Sequence, residues 1–208
     1  MRKIINDLNY KMISNIIEVI DKNAYINKLY PSIKDLLIST YTNKNTVVLK
    51  NRNCGGTTAL VFRVLMEIFS NLMQGDNRKM INIAIFDHDA SNSLLKNSMI
   101  ENMLSFFIGE GFKYDVLNKK CLMSKEYGFA IHFASTGIYK HIPSYLDLAL
   151  FDEFFIIENY NNFMSDQQQR KVITEDTKLF MVKTIEGIKD IRYVFNSENV
   201  DVKILTKE

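Results

Sequence analysis

The apolar positions of this chain fall into blocks whose spacing alternates between a helical period and a strand period. In the first 42 residues, Ile13, Ile16, Ile17 and Ile20 recur on one helical face. "YPSIKDLLIST" then predicts a second helix, with Pro31 in its first turn and Ile33, Leu36 and Leu37 as its stripe. "NTVVLK" reads as a short strand and "NRNCGG" as a loop. "TTALVFRVLMEIFSNLMQ" is a long helix, apolar on so much of its surface that it must be largely buried. After the turn "GDNRK", "MINIAIFD" predicts a strand in which Ile81, Ile83 and Ile85 alternate. "ASNSLLKNSMIENMLSFFIGEG" predicts a helix with Ser91 as its cap and Gly109 and Gly111 at its end. "KCLMSKEYGFAIHFAST" predicts a β-hairpin turning near residues 126–128. "LDLALFDEF" and "TKLFMVKT" are nearly continuous apolar runs, as expected of strands buried on both faces of a parallel sheet. Strands alternating with helices predict an α/β fold, a mainly parallel sheet flanked by helices, with a helical segment leading in. Repeats and linker composition are lacking, so one domain is expected over residues 1–208, with a helical lead-in at 1–42 and the core at 43–195.

Composition changes this picture little. Hydrophobic residues make up 47% of the 208 and charged residues 24%, ordinary values for a globular chain. The net charge of +2 makes no case for nucleic acid, so any basic surface must be local. Cys54 and Cys121 stand far apart without a CxxC, which suits reduced thiols better than a zinc site. Asn and Asp interrupt the apolar start "MRKIINDLNYK", so a signal peptide is not expected, and no segment has the apolar length to span a bilayer.

The candidate chemistry lies in "VVLKNRNCGGTTALVF", residues 47–62. An apolar strand, a glycine-containing turn, two threonines and an apolar helix follow the grammar of a phosphate-binding P-loop, G-x-x-x-x-G-K-[ST]. With Gly55 as the second glycine and Thr57 as the Ser/Thr, the lysine position holds Gly56 and the first glycine position holds Lys50. The candidate ATP-binding loop is therefore Lys50, Asn51, Arg52, Asn53, Cys54, Gly55, Gly56, Thr57 and Thr58. "LDLALFDEFF" has the form of a Walker B strand, which carries acids to the edge of the sheet beside such a loop. Asp152 and the Thr57 hydroxyl are then the candidates to hold Mg²⁺, and Glu153 to polarise the attacking water. In "TKLFMVKTIEG" the strand ends at Thr184, a small polar residue suited to a place near the γ-phosphate.

Taken in order, these motifs resemble the N-terminal ATPase domain of the large terminase subunit of tailed phages, a DNA-packaging motor. That family's loop reads Arg-Gln-x-Gly-Lys-Thr-Thr, against "RNCGGTT" at residues 52–58. Its Walker B strand ends in Asp-Glu, against "LALFDEF", and its coupling strand ends in Ser-Thr-Pro-x-Gly, against "VKTIEG", where Thr184 and Gly187 match. "YGFAIHFAST" fits its Gly-x-x-Ile-x-Phe hairpin, and the resemblance spans roughly residues 29–195. The resemblance implies a P-loop NTPase-like fold, Mg-ATP hydrolysis with Glu153 as the catalytic carboxylate, and coupling through Thr184. It implies viral double-stranded DNA as substrate, with the portal and a small terminase subunit as partners. It further implies a ring of identical subunits and a place at the procapsid portal in the host bacterial cytoplasm, without a membrane. Arg52 and Lys140 are weak candidates for charge-stabilising cations. The family's nuclease domain is not expected in this chain and would be supplied by another domain or chain.

Two departures stand out. The glutamine with which the family reads adenine falls on Ile33, and the loop lysine is replaced by Gly56. Lys50 at the front of the loop is long enough to reach back to a phosphate. Three readings stay open: a working site built on Lys50, nucleotide binding with little hydrolysis, and a module that binds partners and regulates an active motor. A helicase-like translocase is a further alternative, which the absence of a second lobe disfavours. His88, His132 and His141 are scattered, and His132 alternates with Ile131 and Phe133 as a surface or satisfied histidine would. Asp87 and Asp89 of "FDHDAS" read as a strand end and a helix cap, and Arg170 and Lys171 as part of a solvated face.

Overall fold

A computed structural model describes residues 31–43, 45–74, 79–87, 90–108, 115–117, 120–135, 142–143, 145–153, 172–185 and 200–205, with Glu18 and Asp166. The described helices are α1 (Pro31–Thr40), α2 (Gly56–Leu72) and α3 (Ala90–Ile108). The strands are β1 (Asn45–Lys50), β2 (Ile81–Asp87), β3 (Asp115–Leu117), β4 (Cys121–Ser124), β5 (Phe129–Ser135), β6 (Leu148–Asp152), β7 (Lys178–Thr184) and β8 (Val200–Leu205).

The strands form one eight-stranded sheet in the order β3-β4-β5-β2-β6-β7-β1-β8. Six strands, β5 through β8 in that order, run parallel, and β3 and β4 join one edge antiparallel. The predicted α/β architecture is therefore observed. The expected strands at 45–50, 81–87, 148–152 and 178–184 all form, and the hairpin turns where expected, between β4 and β5. β3 and β8 were not expected. β8 pairs with β1 beyond the anticipated core limit at residue 195, so the sheet extends further along the chain. Helix α3 begins at Ala90, which puts Ser91 inside the helix and not at its cap. The striped segment at 13–20 and Gly109 and Gly111 lie outside the described residues, Glu18 apart.

Both faces of the sheet are buried, and strand alternation sorts side chains between two cores. Val48, Ile83, Ile85, Leu148, Leu150, Phe180 and Val182 pack with α1, α2 and α3 on one face. Val47, Leu49, Ala84, Phe86, Ala149, Phe151 and Met181 make the other core, in which the rings of Phe86 and Phe151 stack with centroids 5.0 Å apart. The alternation at Ile81, Ile83 and Ile85 thus divides two interiors, and every residue of β2 is buried. His132 is buried as well, 9% exposed, opposite Cys121 in the β4–β5 pairing. Ile33 is 1% exposed and belongs to the helix-side core. Among the described residues, no helix is long and apolar enough to cross a membrane.

Two polar devices fix α2 against its neighbours. At its C-terminal end, Asn71 donates to the carbonyls of Lys79 (2.7 Å) and Gly128 (3.1 Å) and accepts from the Lys79 N–H. The hairpin turn comes so close that a Cβ on Gly128, whose φ is +68°, would lie 2.9 Å from the Lys79 carbonyl oxygen. In mid-helix, Arg63 is almost fully buried. It donates to the Tyr41 carbonyl at 3.3 Å, pairs with Glu67 at 3.2 Å, and lies 4.7 Å from the centre of the Tyr41 ring. Lys178 closes the group from β7, 2.7 Å from the other Glu67 oxygen. A buried cation with this many partners is retained because each partner offsets part of its desolvation cost.

Arg63→Ala is expected to destabilise the fold by about 3–5 kcal/mol, since it leaves the Glu67 carboxylate short of a buried partner. Urea denaturation measures this. A loss no larger than that of an exposed ion pair, below about 1 kcal/mol, would mean that the group does not fix α2 against its neighbours.

Candidate functional site at the C-terminal sheet edge

Parallel strands deliver their C-terminal residues to one edge of the sheet, and the register brings particular residues side by side. Lys50 of β1 pairs with Thr184 of β7, and Asp152 of β6 pairs with Asp87 of β2. By alternation Lys50, Thr184, Asp152 and Asp87 share parity with Val48, Val182, Leu150 and Ile85, so all four lie on the face covered by α2 and α3. The β1–α2 loop is anchored at its start on both sides. Ile185 donates to the Lys50 carbonyl at 2.8 Å, and Asn51 donates to the Leu205 carbonyl at 3.3 Å. Asn53 (φ 62°) and Gly55 (φ 75°) take left-handed backbone, and the first bond of α2 runs from the Ala59 N–H to the Gly55 carbonyl at 2.9 Å.

Lys50 does not point away into solvent. Its side chain is 10% exposed and crosses the first turn of α2. A Cβ added at Gly56 would lie 2.2 Å from Lys50 Cε, 2.5 Å from Lys50 Cδ and 2.7 Å from Val182 Cγ1. The residue at the usual lysine position is therefore glycine because the front lysine fills the space a side chain there would need. The Lys50 ammonium reaches Glu153 Oε1 at 3.0 Å and Thr184 Oγ1 at 3.1 Å.

Glu153 is brought to this cluster by its backbone. Its N–H still pairs with the Val182 carbonyl at 3.0 Å, continuing β6, but its φ of 52° is left-handed and ends the alternation that would send its side chain to the opposite face. Such a conformation is uncommon outside glycine and concentrates at functional sites. The Glu153 carboxylate accepts from the Thr184 N–H at 3.0 Å, from the Thr184 hydroxyl in a very short contact, and from Lys50. Lys183 adds a looser ion pair at 3.6 Å. Burial pushes the Glu153 pKa up, but donation from Thr184 and the charge of Lys50 outweigh it, and the group ends below the usual carboxylate range. It is ionised at neutral pH.

Asp152 forms a second cluster beside the first. The Thr57 hydroxyl, in the first turn of α2, lies 3.4 Å from Asp152 Oδ2. The ammonium of Lys96, from α3, lies 2.7 Å from the same oxygen and in very short contact with Asp87 Oδ2. Lys96 and Asp87 are almost wholly buried. Neither was singled out as functional by sequence. Asp87 ends its strand as expected, and Lys96 reads in sequence like any helical lysine; the register of Asp87 against Asp152 links them, and no single segment carries that signal.

The structure therefore brings Lys50, Gly55, Gly56, Thr57, Asp152, Glu153 and Thr184 together. Asn51, Arg52 and Asn53 are exposed along the loop. Cys54 is buried, its thiol directed to the Arg52 carbonyl, and Thr58 lies one position further into α2. Lys140, His88, His141, Asp89, Arg170, Lys171 and Gly187 lie outside the described residues. A hydroxyl and a carboxylate oxygen meeting at a helix start are hard oxygen donors of the kind magnesium takes, so Thr57 and Asp152 fit a Mg²⁺ ion, which would share the Asp152 oxygen with the Lys96 ammonium.

No protein-family model and no curated protein sequence matches the chain. Solved structures do match it. The HK97 bacteriophage large terminase superposes with a TM-score of 0.67 at 12% identity, over 92% of this chain and 43% of that one. A mutant of the ATPase domain of the Thermus phage P74-26 large terminase gives 0.57 at 12% identity, over 81% of this chain and 78% of that one. The large terminase of a thermophilic bacteriophage, in complex with ADP, gives 0.52 at 13% identity, over 93% of this chain and 44% of that one. The chain thus has the fold of large-terminase ATPase domains, and it spans less than half the length of the HK97 protein and of the ADP-bound one.

The crossing of Lys50 over Gly56 can be tested without any ligand. Gly56→Ala is expected to cost about 1–3 kcal/mol by overpacking. Lys50→Ala in the same chain should restore part of this, because two of the three close atoms belong to Lys50 and the third, on Val182, remains. Denaturant unfolding of both single variants and the double gives the coupling. Strictly additive losses would place the Lys50 side chain elsewhere.

Proposed function

We propose that this chain is the ATPase motor domain of a phage-type large terminase, which binds and hydrolyses Mg-ATP to drive viral double-stranded DNA into a capsid. The observation that carries the reading is the Lys50 ammonium at the mouth of the β1–α2 loop, between Glu153 and Thr184. It supplies a cation in the loop that has glycine at the usual lysine position. The left-handed residues Asn53 and Gly55 provide the kind of turn that wraps backbone N–H groups around an anion, and α2 adds its positive end.

The chain's own residues divide the work as follows. Loop residues 50–58 hold the phosphates. Thr57 and Asp152 would hold the magnesium, which when bound offsets charge on the phosphate oxygens. Lys50 exchanges its contact with Glu153 for a phosphate oxygen. The Glu153 carboxylate, already ionised, is then available to orient a water and accept its proton. Thr184, hydrogen-bonded to both Lys50 and Glu153, registers that exchange and passes it to β7. In the packaging reading, a homo-oligomeric ring assembles on the portal with a small terminase subunit at the procapsid in the host bacterial cytoplasm. A neighbouring subunit supplies a further cation, and a nuclease domain or separate chain does the cutting.

One observation favours a second reading. Glu153 is engaged by Lys50, Thr184 and Lys183 at once, and a carboxylate that stayed so would bind nucleotide beside it without activating water. The chain would then be a catalytically weak module that regulates an active motor.

ATP turnover by the purified chain, with and without double-stranded DNA, tests the reading. Glu153→Gln should abolish turnover and leave ATP binding intact. Lys50→Ala should weaken ATP binding by about 1.5–3 kcal/mol, the range for hydrogen bonds to charged groups. Binding without turnover in the unaltered chain, at any DNA concentration, selects the regulatory module. Equal ATP binding by Lys50→Ala and the unaltered chain removes Lys50 from the phosphate site.

A further inference from the structure

We propose that Lys96 is a built-in counter-ion that positions Asp152 and shuts its carboxylate to free divalent cations, so that only a metal carried on nucleotide phosphates engages it. This rests on the reading of Asp152 as the metal-holding residue. Asp87 and Asp152 end neighbouring parallel strands in register and on the same face, so two carboxylates are set side by side at the sheet edge. Both are buried, Asp87 at 0% exposure and Asp152 at 6%. Two such charges repel each other and would attract any cation of the right size. The chain supplies that cation itself. The Lys96 side chain is 1% exposed, and its ammonium contacts Oδ2 of both aspartates, at 2.7 Å to Asp152.

The oxygen that Lys96 engages is also the one nearest the Thr57 hydroxyl. Metal and lysine therefore address the same atom. With Lys96 present, the formal charge of the three groups is one negative; without it, two negatives face one another. A bare divalent ion gains little from the first arrangement and must share its ligand with an ammonium. A metal already ligated by phosphates needs only one lone pair of Asp152 and brings the rest of its shell with it. Lys96 is thus a positioning residue: it fixes the Asp152 carboxylate against Asp87 without touching the reacting atoms.

The test is binding of Mn²⁺ alone, without nucleotide, followed by the electron paramagnetic resonance signal of the free ion. Lys96→Met keeps the side-chain length and removes the charge. It should bind Mn²⁺ at least about tenfold more tightly than the unaltered chain, because one fixed positive charge has left the ligand atom. Lys96→Arg should keep the weak binding of the original. Should Lys96→Met fail to fold, the same contrast is read in the Asp87→Asn background, where no pair of bare carboxylates arises. There the double variant Asp87→Asn/Lys96→Met should bind Mn²⁺ at least about tenfold more tightly than Asp87→Asn alone. A residue that merely braced α3 would leave Mn²⁺ affinity unmoved or lower it in whichever background folds, and that result overturns the proposal. Because nucleotide is absent, a chain that fails to bind ATP sinks the motor reading and leaves this contrast standing.

Discussion

The site is organised by the requirement that a buried ammonium find partners. Lys50 ends a central strand, and its side chain turns over the first residue of α2 into a position that is 10% exposed. A lysine there is held only if anionic and hydroxyl oxygens meet its charge. Glu153 and Thr184 do so, and each constrains a different part of the chain. Gly56 must lack a side chain, since the Lys50 methylenes occupy its space. Glu153 must take left-handed backbone so that its carboxylate returns to the helix-covered face. Thr184 must stand opposite Lys50 in the β1–β7 register. The glycine in place of lysine, the strained glutamate and the terminal threonine are therefore consequences of one buried charge.

The adjacent acids Asp152 and Glu153 have opposite settings, although they are neighbours in sequence. Asp152 keeps the strand alternation and meets Lys96 and Thr57, from the two helices that cover its face. Glu153 leaves it and meets Lys50 and Thr184, from the two strands beyond it. Each acid thus carries its own lysine. The difference lies in the rest of the shell. Lys96 has a second buried carboxylate, Asp87, whereas Lys50 shares its one carboxylate with a threonine hydroxyl and a threonine N–H. The Lys50–Glu153 contact is accordingly the easier of the two to open, because Glu153 keeps its Thr184 donors when Lys50 leaves.

Much of this was legible in the chain, for a definable reason. Strands buried on both faces read as nearly continuous apolar runs at β6 and β7, β2 showed an alternation and β1 a short apolar stretch, so these four strands were visible, and with them the strand ends that carry Lys50, Asp152, Glu153 and Thr184. That position 56 holds glycine while position 50 holds lysine was also visible, because strand–loop–helix grammar fixes the loop length. β8 was missed although "VDVKIL" alternates apolar and polar residues as a strand does; its alternation runs against the usual sense, with Val202 and Ile204 exposed and Asp201 and Lys203 half-buried and paired with each other. β3 was missed because a strand of Asp115–Leu117 is too short to establish a period.

Lys96 and Asp87 were missed for a deeper reason, which bears on how charge is read from sequence. A lysine on a helix is by default solvated, and an aspartate at a strand end is by default a cap or a solvated terminus. Only the pairing of β2 with β6, in register to the last residue, sets Asp87 beside Asp152, where both meet the buried Lys96 ammonium. Register is a property of two strands and a helix together, so no single segment encodes it. The same holds at Lys50, where the sequence placed the cation near the loop but could not say that Glu153 would hold it. Local pattern identifies which charges reach the edge of the sheet. The tertiary register decides which of them meet.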